Sequence, residues 1–379
     1  MYRIALKMLF GDTTKYIILI SALTFSALLM TQQAAMFCGL LRFSTAMLRN
    51  SFAKIWVVDT KVEQINELVS MRDIELYRVR GVKGVKWAMP LSMTMISAKT
   101  PSRRYLQVQL VGVDNSTLAG GPRVMVQGDL NDIYKPKSVI IDELGIKLFS
   151  QFQDTPVKLG DMFEINDIEA TIVGICKTER SFYNSPFIYT TYDQSLEYRP
   201  PQLRMLSYVI AEPQDGFTAS EVARNIEKET GLKAYSQNEF FWSTIWWVIH
   251  NTGIPVSVGT TILLGLIVGI VVSGQTFYSF VIENLVHFGV LKAMGVSNRV
   301  LLIMLLVQAL TVGFIGLGLG MGLACLYGYI VSLRGFPPFF ITPYLLLIVV
   351  ASILLITLFA VYLGVRRISR YEPAEVFRG

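Results

Sequence analysis

Four stretches of the chain carry no charged side chain and are almost uniformly apolar: residues 16–41, 254–282, 300–333 and 335–365. Each exceeds the roughly 20 residues needed to cross a hydrocarbon core of about 30 Å. Between the first two the pattern changes to short β-branched runs, at 55–58, 106–113, 139–141, 170–175, 187–190 and 207–210. Apolar positions at helical spacing occur at 61–80 and 218–230, and turns are signalled at Gly120-Gly121-Pro122, Lys135-Pro136-Lys137 and Asn184-Ser185-Pro186. The pattern predicts a membrane protein, α-helical with four transmembrane helices, plus a large extracytoplasmic α/β insert between helices 1 and 2.

The expected boundaries follow. A cytoplasmic segment (1–15) leads into transmembrane helix 1 (16–43) and the extracytoplasmic α/β domain (44–253), read as two subdomains with the second beginning near Asp114. Transmembrane helix 2 (254–282), a cytoplasmic coupling loop (283–299) and helix 3 (300–333) come next, then a short outer loop (334–343), helix 4 (344–365) and a cytoplasmic tail (366–379). The 26 uncharged residues of 16–41 are too many for a signal-peptide core, so this segment reads as a retained helix. Orientation comes from the basic residues at the helix ends. Arg3, Lys7, Lys15, Lys292, Arg299, Arg366, Arg367, Arg370 and Arg378 fall on one side, against Arg334 alone in the short outer loop. The positive-inside rule then puts both termini in the cytoplasm.

Composition agrees. Of 379 residues, 52% are hydrophobic and only 16% charged, below the roughly 25% of a soluble domain. Residues 44–253 hold 23 basic and 24 acidic side chains, while the remainder holds 11 basic and 4 acidic and so supplies the net positive charge. The basic pI therefore belongs to membrane flanks, which excludes nucleic acid as a partner. Cys38, Cys176 and Cys325 have no metal-ligand spacing, and His250 and His287 are the only histidines, so neither metal nor cofactor binding is expected. No nucleotide-binding P-loop or hydrolase motif occurs, and the adjacent acids Asp142 and Glu143 read as a solvated strand end. The spans lack ionisable groups, which argues against an ion-coupled carrier, and Gln32, Gln33, Gln275 and Gln308 read as interhelical hydrogen-bonding groups. No catalytic activity is expected.

Three features carry candidate function. Gly265, Gly269, Gly316, Gly318, Gly320 and Gly322 allow close helix approach, as a dimer seam or as packing within one subunit. Trp242, Trp246 and Trp247 precede helix 2 and suit the outer membrane interface, a buried core patch being the alternative. The loop from Glu283 to Arg299 places Val281, Leu285, Phe288, Leu291 and Met294 at helical spacing, with Gly295 able to end the helix and Ser297 to begin the next. Such an oily face suits a groove on a soluble partner, or the lipid headgroups. Two loops of the insert, with Arg103 and Arg104 and with Phe182 and Tyr183, are partner-contact candidates because arginine and aromatic side chains anchor interfaces.

The run from Gly289 to Gly322, with Gly289-Val290-Leu291-Lys292-Ala293-Met294-Gly295 leading into a glycine-rich helix, resembles FtsX-like, MacB-like (type VII) ABC transporter permeases. The tail, Arg366-Arg367-Ile368 followed by Glu372-Pro373-Ala374-Glu375-Val376, is similar to that family's, and the helix–insert–three-helix order matches it throughout. Asn251-Thr252-Gly253-Ile254-Pro255 and Gly274-Gln275-Thr276-Phe277-Tyr278 resemble the DevC branch of glycolipid exporters. The resemblance implies a homodimeric membrane subunit coupled to two copies of a cytoplasmic ABC ATPase, which would bind ATP and Mg. It further implies an extracytoplasmic membrane-fusion adaptor, and an outer-membrane channel in some systems. Glu283, Leu285, Phe288, Gly289, Leu291, Lys292, Ala293 and Gly295 would then carry the coupling, and the cargo would be lipid-like, peptide or hydrophobic. The alternative is a cargo-less, FtsX-type regulator of an extracytoplasmic hydrolase.

Overall fold

The structure is a computed structural model and describes residues 13–151, 156–201, 205–334 and 337–369. Arg3, Lys7, Arg370, Arg378 and the tail motif from Glu372 to Val376 lie outside the described residues, as do the side chains of Arg334 and Arg367. The chain divides into two units, one ending at Leu40 and resuming at Gly253, the other spanning Leu41–Thr252.

Helix α1 (Thr13–Ser44) begins the first unit, and from Leu41 its residues belong to the second. There α2 (Ala46–Asn50) leads to β1 (Ile55–Val58), α3 (Ile74–Arg80), β2 (Val85–Lys99), β3 (Tyr105–Val113) and β4 (Val124–Gln127). Next come β5 (Ser138–Asp142), α4 (Glu143–Ser150), β6 (Met162–Ile165), β7 (Ile168–Lys177), β8 (Phe187–Thr191) and α5 (Tyr192–Glu197). The unit closes with β9 (Tyr208–Pro213), α6 (Ala219–Thr230), β10 (Lys233–Ser236) and α7 (Gln237–Asn251).

The sheet runs in the order β10-β1-β9-β2-β3-β8-β5-β7-β4, with β6 bridging β2 and β7. The fifteen-residue β2 joins its two halves: residues from Val85 to Leu91 pair with β9 and those from Ser92 to Lys99 with β3. The change of partner thus falls inside β2, whereas the sequence reading put a boundary near Asp114, just after β3. One core contains Ile55, Val57, Val209 and the inner face of α6, and another contains Val139, Phe149, Phe163 and Ile188. The helix expected over 61–80 forms only as α3. Before it, the side chains of Asp59, Gln64 and Glu67 take the N–H groups of Lys61, Asn66 and Glu63, which offers the backbone an alternative to helical bonding. Helix α6 has the ends its sequence calls for, with Thr218 accepting from Glu221 N and Gly231 at φ 75°. Helix α7 starts on a capping box of Ser236 and Glu239, and turns Trp242 and Trp246 outward while Phe240, Thr244 and Val248 are buried. A core position for those two tryptophans is thereby excluded.

The helical unit continues with α8 (Ile254–Glu283), α9 (Leu285–Ala293), α10 (Asn298–Arg334) and α11 (Pro343–Ser369). Among the described residues four helices are long and apolar enough to cross a membrane: Thr13–Ser44, Ile254–Glu283, Asn298–Leu333 and Pro343–Arg366. At 1.5 Å per residue the 37 residues of α10 extend about 55 Å, well past a bilayer core. Glycine brings these helices together. A Cβ on Gly316 would lie 2.6 Å from Leu23 Cβ, and one on Gly320 2.6 Å from Ala27 Cβ and Thr24 O, so α10 meets the backbone of α1. On Gly269 it would lie 2.7 Å from Ser26 Oγ and 2.8 Å from Ile356 Cδ1, and Gly265 sits beside Leu29. Each of these four glycines packs against another helix of the same subunit. Gly318 and Gly322 differ, with open space where a side chain would stand.

Candidate coupling site

The loop between α8 and α10 holds the nine-residue α9, set off by a break at each end. At Asn284 (φ −92°, ψ 8°) the backbone leaves the helical range, and both its N–H and its side-chain amide bond Phe280 O, at 3.2 and 2.9 Å. At the far end Gly295 has φ 90°, a conformation natural to glycine. Its N–H reaches Lys292 O, and Val296 N reaches Leu291 O at 3.1 Å, which satisfies the last carbonyls in a Schellman arrangement. Helix α10 then starts from Ser297, whose carbonyl takes the N–H groups of Val300 and Leu301.

The oily face of α9 is turned onto the chain's own helices. Phe288 is 1% exposed and Leu285 and Gly289 are buried, in one cluster with Val281, Leu301, Met304 and Leu305, and Leu291 packs at its edge. The sequence reading gave this face to a groove on a partner or to the lipid headgroups; Leu285 and Phe288 are instead packed against α8 and α10, while Met294 of the same face stays exposed. The surface left open consists of Val286, His287, Val290, Ala293 and Met294, the last 68% exposed. Glu283 pairs with Lys15, which ties the C-terminal end of α8 to the start of α1. Lys292 is half-buried on the inner flank of α9.

The soluble unit carries the other candidates. Arg103 (φ 61°) and Arg104 form the exposed tip between β2 and β3, closed by Thr100 N to Arg104 O and Arg103 N to Thr100 O, both 2.8 Å. Phe182 and Tyr183 stand in the loop between β7 and β8, their rings edge-to-face at 5.3 Å, with Tyr183 49% exposed. Inside that loop Ser181 Oγ both donates to Ser185 O and accepts from Ser185 N. The two tips lie at different loops.

Two residues that hold the second loop escaped the sequence reading. Asp142 is buried, not solvated, while Glu143 beside it is exposed. Its Oδ1 caps α4 by accepting from Gly145 N at 2.7 Å, and its Oδ2 accepts from Thr178 Oγ1 at 2.9 Å and Phe187 N at 3.0 Å. Burial pushes its carboxyl up to about 6, against those three hydrogen bonds and the nearby Arg180. Glu179 meets Arg42 Nη2 and Arg49 Nε, each at 2.6 Å. Burial alone would raise its pKa, but the two guanidinium groups outweigh that and hold it below the usual carboxylate range. No local pattern announces such pairings, which join residues about 130 positions apart.

Among the described residues no group of acidic, histidine and cysteine side chains could hold a metal ion. A cleft of about 490 Å³ in the soluble unit is lined by Phe52, Trp87, Leu118, Ile210 and the ion pair of Lys54 with Glu212.

Residues 17–229 match the model of the MacB-like periplasmic core domain, and residues 240–373 that of the FtsX-like permease C-terminal region. Similar solved structures include the extracellular domain of the noncanonic ABC-type transporter YknZ from Gram-positive bacteria, at 16% identity over 48% of this chain and 98% of that one, with a TM-score of 0.34. The periplasmic region of MacB from Actinobacillus actinomycetemcomitans is 12% identical over 54% of this chain and 96% of its own, with a TM-score of 0.39. A domain of a permease protein from Porphyromonas gingivalis is 11% identical over 50% and 89%, with a TM-score of 0.30. The comparison with curated proteins gives no match. With the periplasmic core model matched over more than half of this chain and the permease model over the helices that follow, the chain belongs to the MacB-like, FtsX-like family of ABC transporter permeases.

Proposed function

We propose that this permease converts closure of a separate cytoplasmic ABC ATPase into motion of its periplasmic domain, and that the motion exports a lipid-like, peptide or hydrophobic substrate. Two copies of the permease would work with two ATPase subunits, which bind the ATP and Mg while this chain binds no cofactor. Both termini would be cytoplasmic. The observation that carries the reading is the construction of α9. It is seated by Phe288 and Leu285 in the helical core and exposes a small apolar strip, Val286, Val290 and Met294, beside His287. A short helix so anchored, with an oily outer face, suits a groove on a soluble protein. The pairing of Lys15 with Glu283 places the start of α1 at the same end of the bundle as α9, which supports a shared cytoplasmic side. Export is favoured by the size of the periplasmic unit, and the segments 251–255 and 274–278 favour a glycolipid among the cargos. A membrane-fusion adaptor would meet the loops of Arg103–Arg104 and Phe182–Tyr183.

The test is a charge placed on the exposed strip of α9. Val290→Glu or Met294→Glu strands a carboxylate in the contact and should weaken ATPase binding about 30- to 1,000-fold, with the permease still folded. Lys292→Ala, on the flank, should change binding much less. Co-purification with the ATPase reads the outcome. Undiminished association and export in both glutamate variants would mean that α9 lies on lipid.

A further inference from the structure

The loop between β7 and β8 is held by two carboxylates, which are anchored to different parts of the soluble unit. On the sheet side Asp142, at the end of β5, takes Thr178 Oγ1 and Phe187 N, so both ends of the loop converge on it. On the other side Glu179 is gripped by the segment that follows the first transmembrane span. Arg42, in the last turn of α1, and Arg49, in α2, both donate to its carboxylate. Asn50 adds a reciprocal pair, its side-chain amide donating to Glu179 O at 3.0 Å and its Oδ1 accepting from Glu179 N at 2.8 Å. Arg49 is itself held in place by Thr45 Oγ1 at 2.5 Å and by Arg42 O.

Five bonds to one residue leave it no freedom to swivel. Charge-assisted bonds of this length are about twice as strong as neutral ones, and the paired amide fixes the peptide plane as well as the side chain. The loop itself is short and internally tied by Ser181, Ser185 and the turn from Asn184 N to Ser181 O. Any displacement of the α1–α2 segment relative to β5 must therefore tilt the loop as a body, and its tip bears the Phe182–Tyr183 pair.

We propose that Glu179 is a mechanical latch that carries movement of the end of α1 into the aromatic tip of the β7–β8 loop. This rests on the reading of the chain as an ATPase-driven permease. Glu179 is a positioning residue: it needs no contact with cargo, and Tyr183 is the surface that moves.

The test uses the full permease–ATPase complex in nanodiscs and follows backbone amide exchange with and without ATP plus vanadate. In the wild type, exchange in 180–186 should change several-fold on nucleotide trapping, together with exchange in α9. Glu179→Gln retains the size of the side chain and the Asn50 bonds but removes the charge, and its arginines are exposed enough to reach water. It should keep the α9 response and the wild-type melting temperature while losing most of the loop response. Arg49→Lys, which preserves the charge, should restore a partial response and guards against a folding defect in the first variant. A full loop response in Glu179→Gln, or a wild-type loop silent while α9 responds, overturns the latch alone. Silence of α9 in the wild type overturns both the latch and the ATPase-coupling reading.

Discussion

Asp142, at the end of β5, and Glu179, in the loop between β7 and β8, titrate in opposite senses. Burial holds Asp142 near 6 instead of 3.8, so the folded state binds its proton more tightly than the unfolded chain does. Stability from this group therefore increases as pH falls from about 6 to about 4, by at most about 3 kcal/mol, and is flat outside that window. Glu179 is depressed, so its contribution is present above the ordinary glutamate range and is lost as pH falls through the folded value. The stability difference between the wild type and Asp142→Asn isolates the first effect, because every other group cancels. In thermal melts of the detergent-solubilised protein, that difference should grow in favour of the wild type between pH 7 and pH 4. A constant difference across that range would show that Asp142 titrates normally. Cys176 and Tyr189, themselves pushed up by burial, share its surroundings and stay protonated throughout this window. At this scale the helix end at Gly295 was legible from local sequence, while the caps at Thr218 and at Ser236 with Glu239 came from the structure. The roles of Asp142 and Glu179 were not, since burial and a partner 130 residues away leave no mark on neighbouring positions.

Helices α10 and α8 show how far an element can be read from its pattern. The charge-free runs mark them as spans, and the glycines mark them as close-packing, but the sequence leaves open which glycine faces which neighbour. Gly316 and Gly320 are four apart and meet α1, whereas Gly318 and Gly322, on another face, meet nothing. A valine at Gly320 would collide with Ala27 and with the backbone at Thr24 and Leu28, so Gly320→Val should abolish a folded, monodisperse permease. Gly322→Val should leave the fold intact. If the open face is where a second permease packs, size-exclusion mass in detergent should shift from dimer towards monomer for Gly322→Val, and an unchanged dimer would locate the seam elsewhere. The face of α9 was misassigned for a related reason. Spacing identifies an apolar stripe but not its occupant, and here α8 and α10 reach Phe288 first.

Across the whole molecule the alternation of long apolar runs with an α/β insert is enough to give the architecture, because lipid admits few backbones other than complete helices. The order of the ten strands was beyond reach, since β2 changes partners midway without any change of composition. Topology remains a prediction with its own check. Impermeant thiol reagents on intact cells should label Tyr183→Cys and leave Asn298→Cys unlabelled. Labelling at 298 from outside would invert the orientation and remove α9 from the cytoplasm.

One consequence follows from the seat of α9. Its buried residues share a single cluster with side chains of α1, α8, α10 and α11, so no one span supports it alone. Interiors packed to crystal-like density have low compressibility and pass strain along instead of absorbing it. On the proposed reading, a load applied at Val290 or Met294 would be distributed over every span within the stroke, and the bundle would behave as a stiff strut with little backlash. Softening that seat, by replacing Phe288 with a smaller side chain, would let the strut yield under load, so that part of each stroke is dissipated in the bundle before it reaches the far end.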